Sequence, residues 1–359
     1  MNSVQKHKHF FASANGYGGF RSYFDDIFKS EKFTKIFVLK GGPGTGKSTF
    51  IKRIIAGLSK YDPHLEEFVC SSDRNSLDGV IARFKNACFA IVDGTAPHER
   101  DAIIPGAVDE VVNLGECFDI NRLESVRDDI IALNRKKSCA YKEAYSDLAI
   151  SSFLEGKYEA EISKIYDYNA ARAAATELIS EFNESYFASF EYRLISSFSK
   201  SGYDVLKISD ADPSRSWTVF GDRTAQKIFM KIVSNIALSE NKCSHCFPNC
   251  LAEDAVDAIR FSDSEYVMTS EAGNAQRRFD TDQFVNLRCK TVSEDYLATL
   301  REDQKKYEEL ARKSLEVASE YHFKLEGIYT PAVNFSKTDD IYNRVFEKII
   351  SLIEARNSH

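Results

Sequence analysis

The chain has 359 residues, a formal net charge of −7 and 43% hydrophobic residues. This length allows two domains and the hydrophobic share allows a packed core, while the acidic balance excludes a chain-wide nucleic-acid or anionic-membrane footprint. No apolar run reaches the length of a membrane span or a secretory signal, and eight cysteines in so long a chain read as reduced thiols, so a cytoplasmic location is expected.

His7 to Ser30 form an aromatic-rich lead-in with a short helix expected around Phe20–Phe28. Ile36–Leu39 is a buried-strand type of run, and Phe50–Ile55 opens a helix. Between them lies Lys40-Gly41-Gly42-Pro43-Gly44-Thr45-Gly46-Lys47-Ser48-Thr49, which fits the phosphate-binding loop G-x-x-x-x-G-K-[ST] at every fixed position. Glycines let backbone N–H groups approach an anion, and the helix after the loop points its positive end at the same place. Gly42, Pro43, Gly44, Thr45, Gly46, Lys47, Ser48 and Thr49 are therefore expected to hold a nucleoside triphosphate. Lys47 is expected to reach the terminal phosphates and Ser48 to hold a magnesium ion.

A second strand is expected at Glu67–Cys70, then a polar turn over Ser71–Ser76 and a short helix over Leu77–Phe84. Cys88-Phe89-Ala90-Ile91-Val92-Asp93 has the Walker B pattern, a buried strand whose terminal carboxylate meets the metal shell beside the phosphate loop. Ser48 and Asp93 are thus the expected magnesium ligands. The residue after Asp93 is Gly94, not Glu, so a water-orienting group must come from elsewhere: Asp73, His98 and Glu99 are the candidates. His98 follows Thr95-Ala96-Pro97 in a constrained loop suited to sensing the γ-phosphate. Lys47, Asp93 and His98 are the expected catalytic residues. No N-K-x-D follows the Walker B strand, which favours ATP over GTP, and no L-S-G-G-Q occurs.

From Asn121 the pattern becomes helical, and a helical hairpin is expected over about 121–187, broken at Glu155-Gly156-Lys157. The second half then reads as a worn copy of the first. Thr218–Lys231 aligns without gaps beneath Leu39–Lys52, and Arg83-Phe84 and Val112-Asn113-Leu114 recur as Arg260-Phe261 and Val285-Asn286-Leu287. In this copy Gly44 becomes Arg223, Gly46 becomes Ala225, Lys47 becomes Gln226, Ser48 becomes Lys227 and Asp93 becomes Ser270. The second site is expected to bind nucleotide poorly or not at all, although Arg223 is a candidate to complete the first site in cis. Cys243, Cys246 and Cys250 offer an incomplete zinc ligand set. A long helix is expected from about Ser293 to Tyr321.

Asp93-Gly94-Thr95-Ala96-Pro97-His98, with Cys70-Ser71-Ser72-Asp73 and Ser76-Leu77-Asp78, resembles an uncharacterised group of bacterial tandem P-loop proteins, generically described as ATPases or ATP-binding proteins. The resemblance spans most of the chain and is strong over residues 7–120. It implies two related halves, often with both loops intact, a pattern from which this sequence departs. The expected fold is α/β: a duplicated P-loop NTPase-type parallel sheet with helices on both faces and helical hairpin extensions. Residues 1–188 are expected to be the active domain and 189–359 a degenerate repeat with C-terminal helices. The expected function is Mg-ATP binding at one site with slow hydrolysis coupled to a switch. A small-molecule or nucleotide kinase, or a non-catalytic ATP-binding protein engaging a protein partner through its helical arms, are the alternatives.

Overall fold

The computed structural model describes residues 7–183, 191–252, 254–289 and 291–357. From the amino end come β1 (His7–Phe11), the hairpin β2 (Ser13–Gly16) and β3 (Gly19–Ser22), α1 (Phe24–Ile27), β4 (Lys35–Lys40) and α2 (Lys47–Leu58). Next are β5 (His64–Val69), β6 (Leu77–Arg83), β7 (Cys88–Asp93) and β8 (Asp109–Asn113), followed by α3 (Ile120–Ser125), α4 (Arg127–Ser163) and α5 (Tyr168–Ser180). The second half holds β9 (Glu191–Tyr192), the hairpin β10 (Ser196–Ser199) and β11 (Gly202–Val205), β12 (Trp217–Phe220) and α6 (Arg223–Ser239). It continues through β13 (His245–Pro248), β14 (Val256–Arg260), β15 (Tyr266–Thr269) and β16 (Arg277–Asp280) to α7 (Glu294–Tyr329) and α8 (Phe335–Asn357).

The chain divides into two compact units, each assembled from separated stretches. The first takes the amino-terminal stretch ending at Ser13, Ser22–Lys142, and everything from Ser314 onward; the second takes Ala14–Arg21 and Glu143–Lys313. The first unit contains a six-stranded sheet in the order β1-β5-β6-β7-β4-β8, the second a six-stranded sheet in the order β9-β13-β14-β15-β12-β16. Orientation also matches. In the first sheet β1·β5, β7·β4 and β4·β8 are parallel while β5·β6 and β6·β7 are antiparallel. In the second, β9·β13, β15·β12 and β12·β16 are parallel while β13·β14 and β14·β15 are antiparallel.

The sheets are therefore mixed, not wholly parallel as expected. The cause is local. Leu77–Phe84, expected to be a helix, is strand β6, whose Leu-Asp-Gly-Val-Ile-Ala run is buried throughout. Its links to β5 and β7 are too short for the crossover that a parallel pair requires. The link to β7 is a tight turn closed by the Phe84 N–H donating to the Ala87 carbonyl at 2.8 Å.

Two other expectations change. Phe20–Phe28 is not one helix but the end of β3 followed by the single turn of α1. Helix α4 runs unbroken through Glu155-Gly156-Lys157 to Ser163, and α5 follows after a short link. A lone glycine costs about 1 kcal/mol in a helix, which a 37-residue element absorbs. The expected end of the hairpin, at 187, lies outside the described residues.

The core of the first unit explains where its site stands. β4, Lys-Ile-Phe-Val-Leu-Lys, is buried on both faces, as an interior strand with a parallel neighbour on each side must be. Ile36, Val38, Phe68, Ile81, Ala90 and Val92 close one apolar layer with Phe24, Ile27 and Phe28. The register pairs Leu39 with Asp93, so the carboxyl ends of β4 and β7 finish side by side. Just past that end, Gly94 donates its N–H to the Leu39 carbonyl at 3.0 Å. A Cβ on Gly94 would collide with Val38 Cγ1 and the Arg100 carbonyl oxygen. We therefore expect Gly94→Ala to lower stability by about 1–3 kcal/mol, measured by urea denaturation; a variant as stable as wild type would show that this strand end is loosely packed.

Candidate functional site

The glycine-rich turn leads directly from β4 into α2. Gly44 and Gly46 have φ of 70° and 82°, conformations that side chains with a Cβ rarely adopt. Thr45 Oγ1 donates to the Gly42 carbonyl at 2.8 Å and holds the turn closed. Lys47 folds back over it, its Nζ donating to the Gly41 and Gly42 carbonyls at 2.9 and 3.0 Å. The same Nζ stands 3.6 Å from Asp93 Oδ2. Asp93 is fixed in turn by Thr95, whose N–H and hydroxyl donate to Oδ1 at 2.9 and 2.5 Å. Ser48 Oγ accepts from the Leu77 N–H at 2.9 Å, which ties the first turn of α2 to the start of β6.

His98 joins this group. It is buried, stacked face to face on Phe24 with centroids 4.6 Å apart, and its Nε2 lies 4.0 Å from Asp78 Oδ1. Ligand atoms of Asp78, Asp93 and His98 all lie within 4.8 Å of one another. Thus the structure groups Lys47, Asp93 and His98 at the end of β7 and adds Asp78 to them. Asp73 and Glu99 are not part of the group: Asp73 accepts from the Asn75 N–H in a turn, and Glu99 is exposed. Thr49 is exposed as well.

Asp78 reaches the group through a β-bulge. Phe68 pairs with Gly79 and Val69 with Leu77, leaving Asp78 as the extra residue. Burial pushes its carboxyl up to about 6; His98 opposes that shift and Asp93 adds to it.

Two further charged groups escaped sequence reasoning. Lys137 of α4 is pulled below the ordinary lysine range by burial and by the neighbouring Lys47 ammonium. Glu326, near the end of α7, is held below the usual carboxylate range by His322, whose Nε2 is 3.5 Å away, by the Lys47 ammonium and by the neighbouring Gly44 backbone. A carboxylate of the chain itself thus meets the glycine-rich turn. The segment around it covers the same turn: a Cβ on Gly44 would strike the Thr330 hydroxyl and come within 3.3 Å of the Glu326 carbonyl, and one on Gly42 would lie 3.2 Å from the Tyr329 ring. No spacing rule links residue 326 to residue 44, so the sequence carried no signal for this contact.

The second unit has the same plan with different chemistry. Gln226 Nε2 donates to the Gly221 carbonyl at 2.7 Å, as Lys47 does to Gly42, so the two turns match as aligned, but at the strand end Val219, not Thr218, stands where Leu39 does, one residue out of the ungapped alignment. The counterpart of Asp93, however, is Thr269, not Ser270. The Ser270 N–H donates to the Val219 carbonyl as the Gly94 N–H does to Leu39, which places each preceding residue at the strand end. The amino end of α6 is capped by Asp222, whose Oδ1 accepts from the Thr224 and Ala225 N–H groups at 2.9 and 3.4 Å. Arg301 then holds Asp222, Glu155 and the Thr224 hydroxyl together. Arg223, the candidate to complete the first site, pairs within its own unit with Glu308 at 3.3 Å and lies over the Tyr203 ring. Cys243, Cys246 and Cys250 do not converge on a metal position among the described residues, and burial pushes the Cys246 thiol up to about 12.

A bulge recurs too. Phe247 pairs with Ala258 and Pro248 with Val256, so Asp257 takes the place that Asp78 takes in the first sheet. Here three neutral donors meet the carboxylate: Ser196 Oγ at 2.5 Å, Asn249 Nδ2 at 2.6 Å and Tyr203 OH at 3.0 Å. Burial still pushes its carboxyl up to about 6. Because the folded state holds this proton more tightly than the unfolded chain, the contribution of Asp257 is greatest below about pH 4 and is lost as pH rises through about 6. The stability of Asp257→Asn relative to wild type should therefore increase between about pH 4 and 7. Urea midpoints across that range check this, and a difference independent of pH would contradict it.

No family model matches the chain, and no curated protein or solved structure is significantly similar to it.

Proposed function

We propose that the first unit is a P-loop nucleotide-binding unit that takes Mg-ATP and hydrolyses it slowly, and that the second unit is a related copy that has given up nucleotide binding. The observation that carries this reading is the meeting of Lys47 and Asp93 beneath a turn whose glycines take positive φ at the amino end of α2. Such a turn presents backbone N–H groups and the positive helix end to an anion. Lys47, with Lys137 beside it, supplies mobile positive charge for the terminal phosphates. Identical strand order in the two sheets supports the reading of two related halves.

Ser48 and Asp93 supply hard oxygen donors next to the phosphate position, the ligand type magnesium takes. When bound, the ion would neutralise charge on the transferring phosphoryl group. The chain's own part is positional. Thr95 orients Asp93, Phe24 fixes the plane of His98, and Asp78 or His98 is placed to accept a hydrogen bond from water. No carboxylate follows Asp93 directly, in keeping with slow turnover.

Glu326 gives the switch a mechanism. It meets the Gly44 backbone where a phosphate oxygen would, and Thr330 and Tyr329 stand over the same turn. Phosphate entry must displace this carboxylate, so nucleotide binding moves the end of α7 away from the turn.

ATP binding followed by fluorescence, with phosphate release measured separately, tests the reading. Lys47→Ala should weaken binding at least about tenfold, the loss of one charge-assisted contact, and abolish release; full activity in that variant would sink the assignment. Gln226→Ala should leave both unchanged. Glu326→Gln should bind ATP several-fold more tightly than wild type, and an unchanged affinity would show that the carboxylate does not compete with phosphate.

A further inference from the structure

We infer that Asp78, Asp93 and His98 directly bind one divalent transition-metal ion, of the manganese, iron, cobalt or zinc type, and that they do so without nucleotide. The site does not depend on the nucleotide reading.

The ligand set is built by the fold. The bulge in β6 turns Asp78 towards the end of β7, where Asp93 stands; the Asp78 and His98 side chains are more than nine-tenths buried and that of Asp93 is 13% exposed. The imidazole is held in one plane by its stack on Phe24. Their ligand atoms lie within 4.8 Å of one another, a spacing that a single ion with metal–ligand bonds of about 2.0–2.2 Å bridges after small side-chain rotations.

Charge balance points the same way. Two buried carboxylates this close repel, and each loses its hydration. Lys47 is 3.6 Å from Asp93 and balances one of them. The second sheet supplies an internal comparison. There the bulge aspartate, Asp257, has Thr269 rather than a second carboxylate at the neighbouring strand end, and it is satisfied by Ser196, Tyr203 and Asn249. A bulge aspartate can therefore be accommodated by neutral donors alone. In the first sheet the bulge aspartate has one neutral donor, the Cys70 thiol, and faces a carboxylate and an imidazole besides, which is the arrangement of a cation site.

The nitrogen donor sets the metal class. Magnesium and calcium take oxygen ligands, whereas imidazole suits first-row transition ions. Three protein ligands leave positions open, so the ion can also accept water or an oxygen of a bound ligand.

The test uses the full chain, treated with chelator and free of nucleotide. Titration calorimetry with Mn²⁺ or Zn²⁺ should give about one ion per chain, with Mg²⁺ far weaker. His98→Gln and Asp78→Asn should each weaken binding by about tenfold or more. Pulsed electron paramagnetic resonance of bound Mn²⁺ in the wild-type chain should show nitrogen coupling from the imidazole. That readout does not depend on a variant folding. Failure to bind either ion, a Mn²⁺ signal without nitrogen coupling, or wild-type affinity in His98→Gln would overturn the inference. Because no nucleotide is present, these outcomes are separate from the failure or success of ATP binding.

Discussion

The exposed N–H groups at the amino end of the helix after the central strand demand a negative partner, and both units organise themselves around that demand. In each, a strand-to-helix turn gathers N–H groups and the positive helix end. In the second unit the partner is permanent: Asp222 sits one residue before α6, caps it, and is locked by Arg301. In the first unit a carboxylate that reaches the turn is Glu326, hundreds of residues away on α7 and itself paired with His322. A cap one residue away costs almost no chain entropy to keep. A carboxylate on the end of a long helix is held there only by the fold that brings it back. The carboxylate that meets the turn is thus adjacent along the chain in one half and distant along it in the other.

The bulge aspartates repeat this logic. Asp78 and Asp257 occupy the same irregularity in equivalent sheets, and burial raises the carboxyl of each. Neighbours decide their roles. Hydroxyls and an amide make Asp257 a structural knot beside β10 and β11. A carboxylate, an imidazole and a lysine make Asp78 one member of a charged cluster at the end of β7. Buried charge of this kind is costly unless each group has its counterpart, so Lys47, Asp93, Asp78 and His98 are best understood as one electrostatic unit.

Much of this was legible in the sequence, because it is encoded locally. The buried runs at β4 and β7, the turn between β4 and α2, and the loop carrying Thr95 and His98 all follow from residue types in short windows. The mixed character of the sheets was not legible, since Leu77–Phe84 is an apolar run that periodicity alone cannot assign to helix or strand. The counterpart of Asp93 was displaced by one position for a related reason: identity in an alignment does not reveal where a strand ends, whereas the hydrogen bonds of Gly94 and Ser270 do.

The sequence by itself determined the pieces: a glycine-rich turn entering a helix, a strand ending in Asp93, a histidine close behind it, and a second half without the lysine and glycines. Tertiary structure alone decided their company. Asp78 enters the cluster only because a bulge shifts it by one residue, and Glu326 meets Gly44 only because the end of α7 returns to the first unit. Turns and strands are specified by neighbours along the chain. Charge partners are chosen by distance in space, and that distance exists only once the chain has folded.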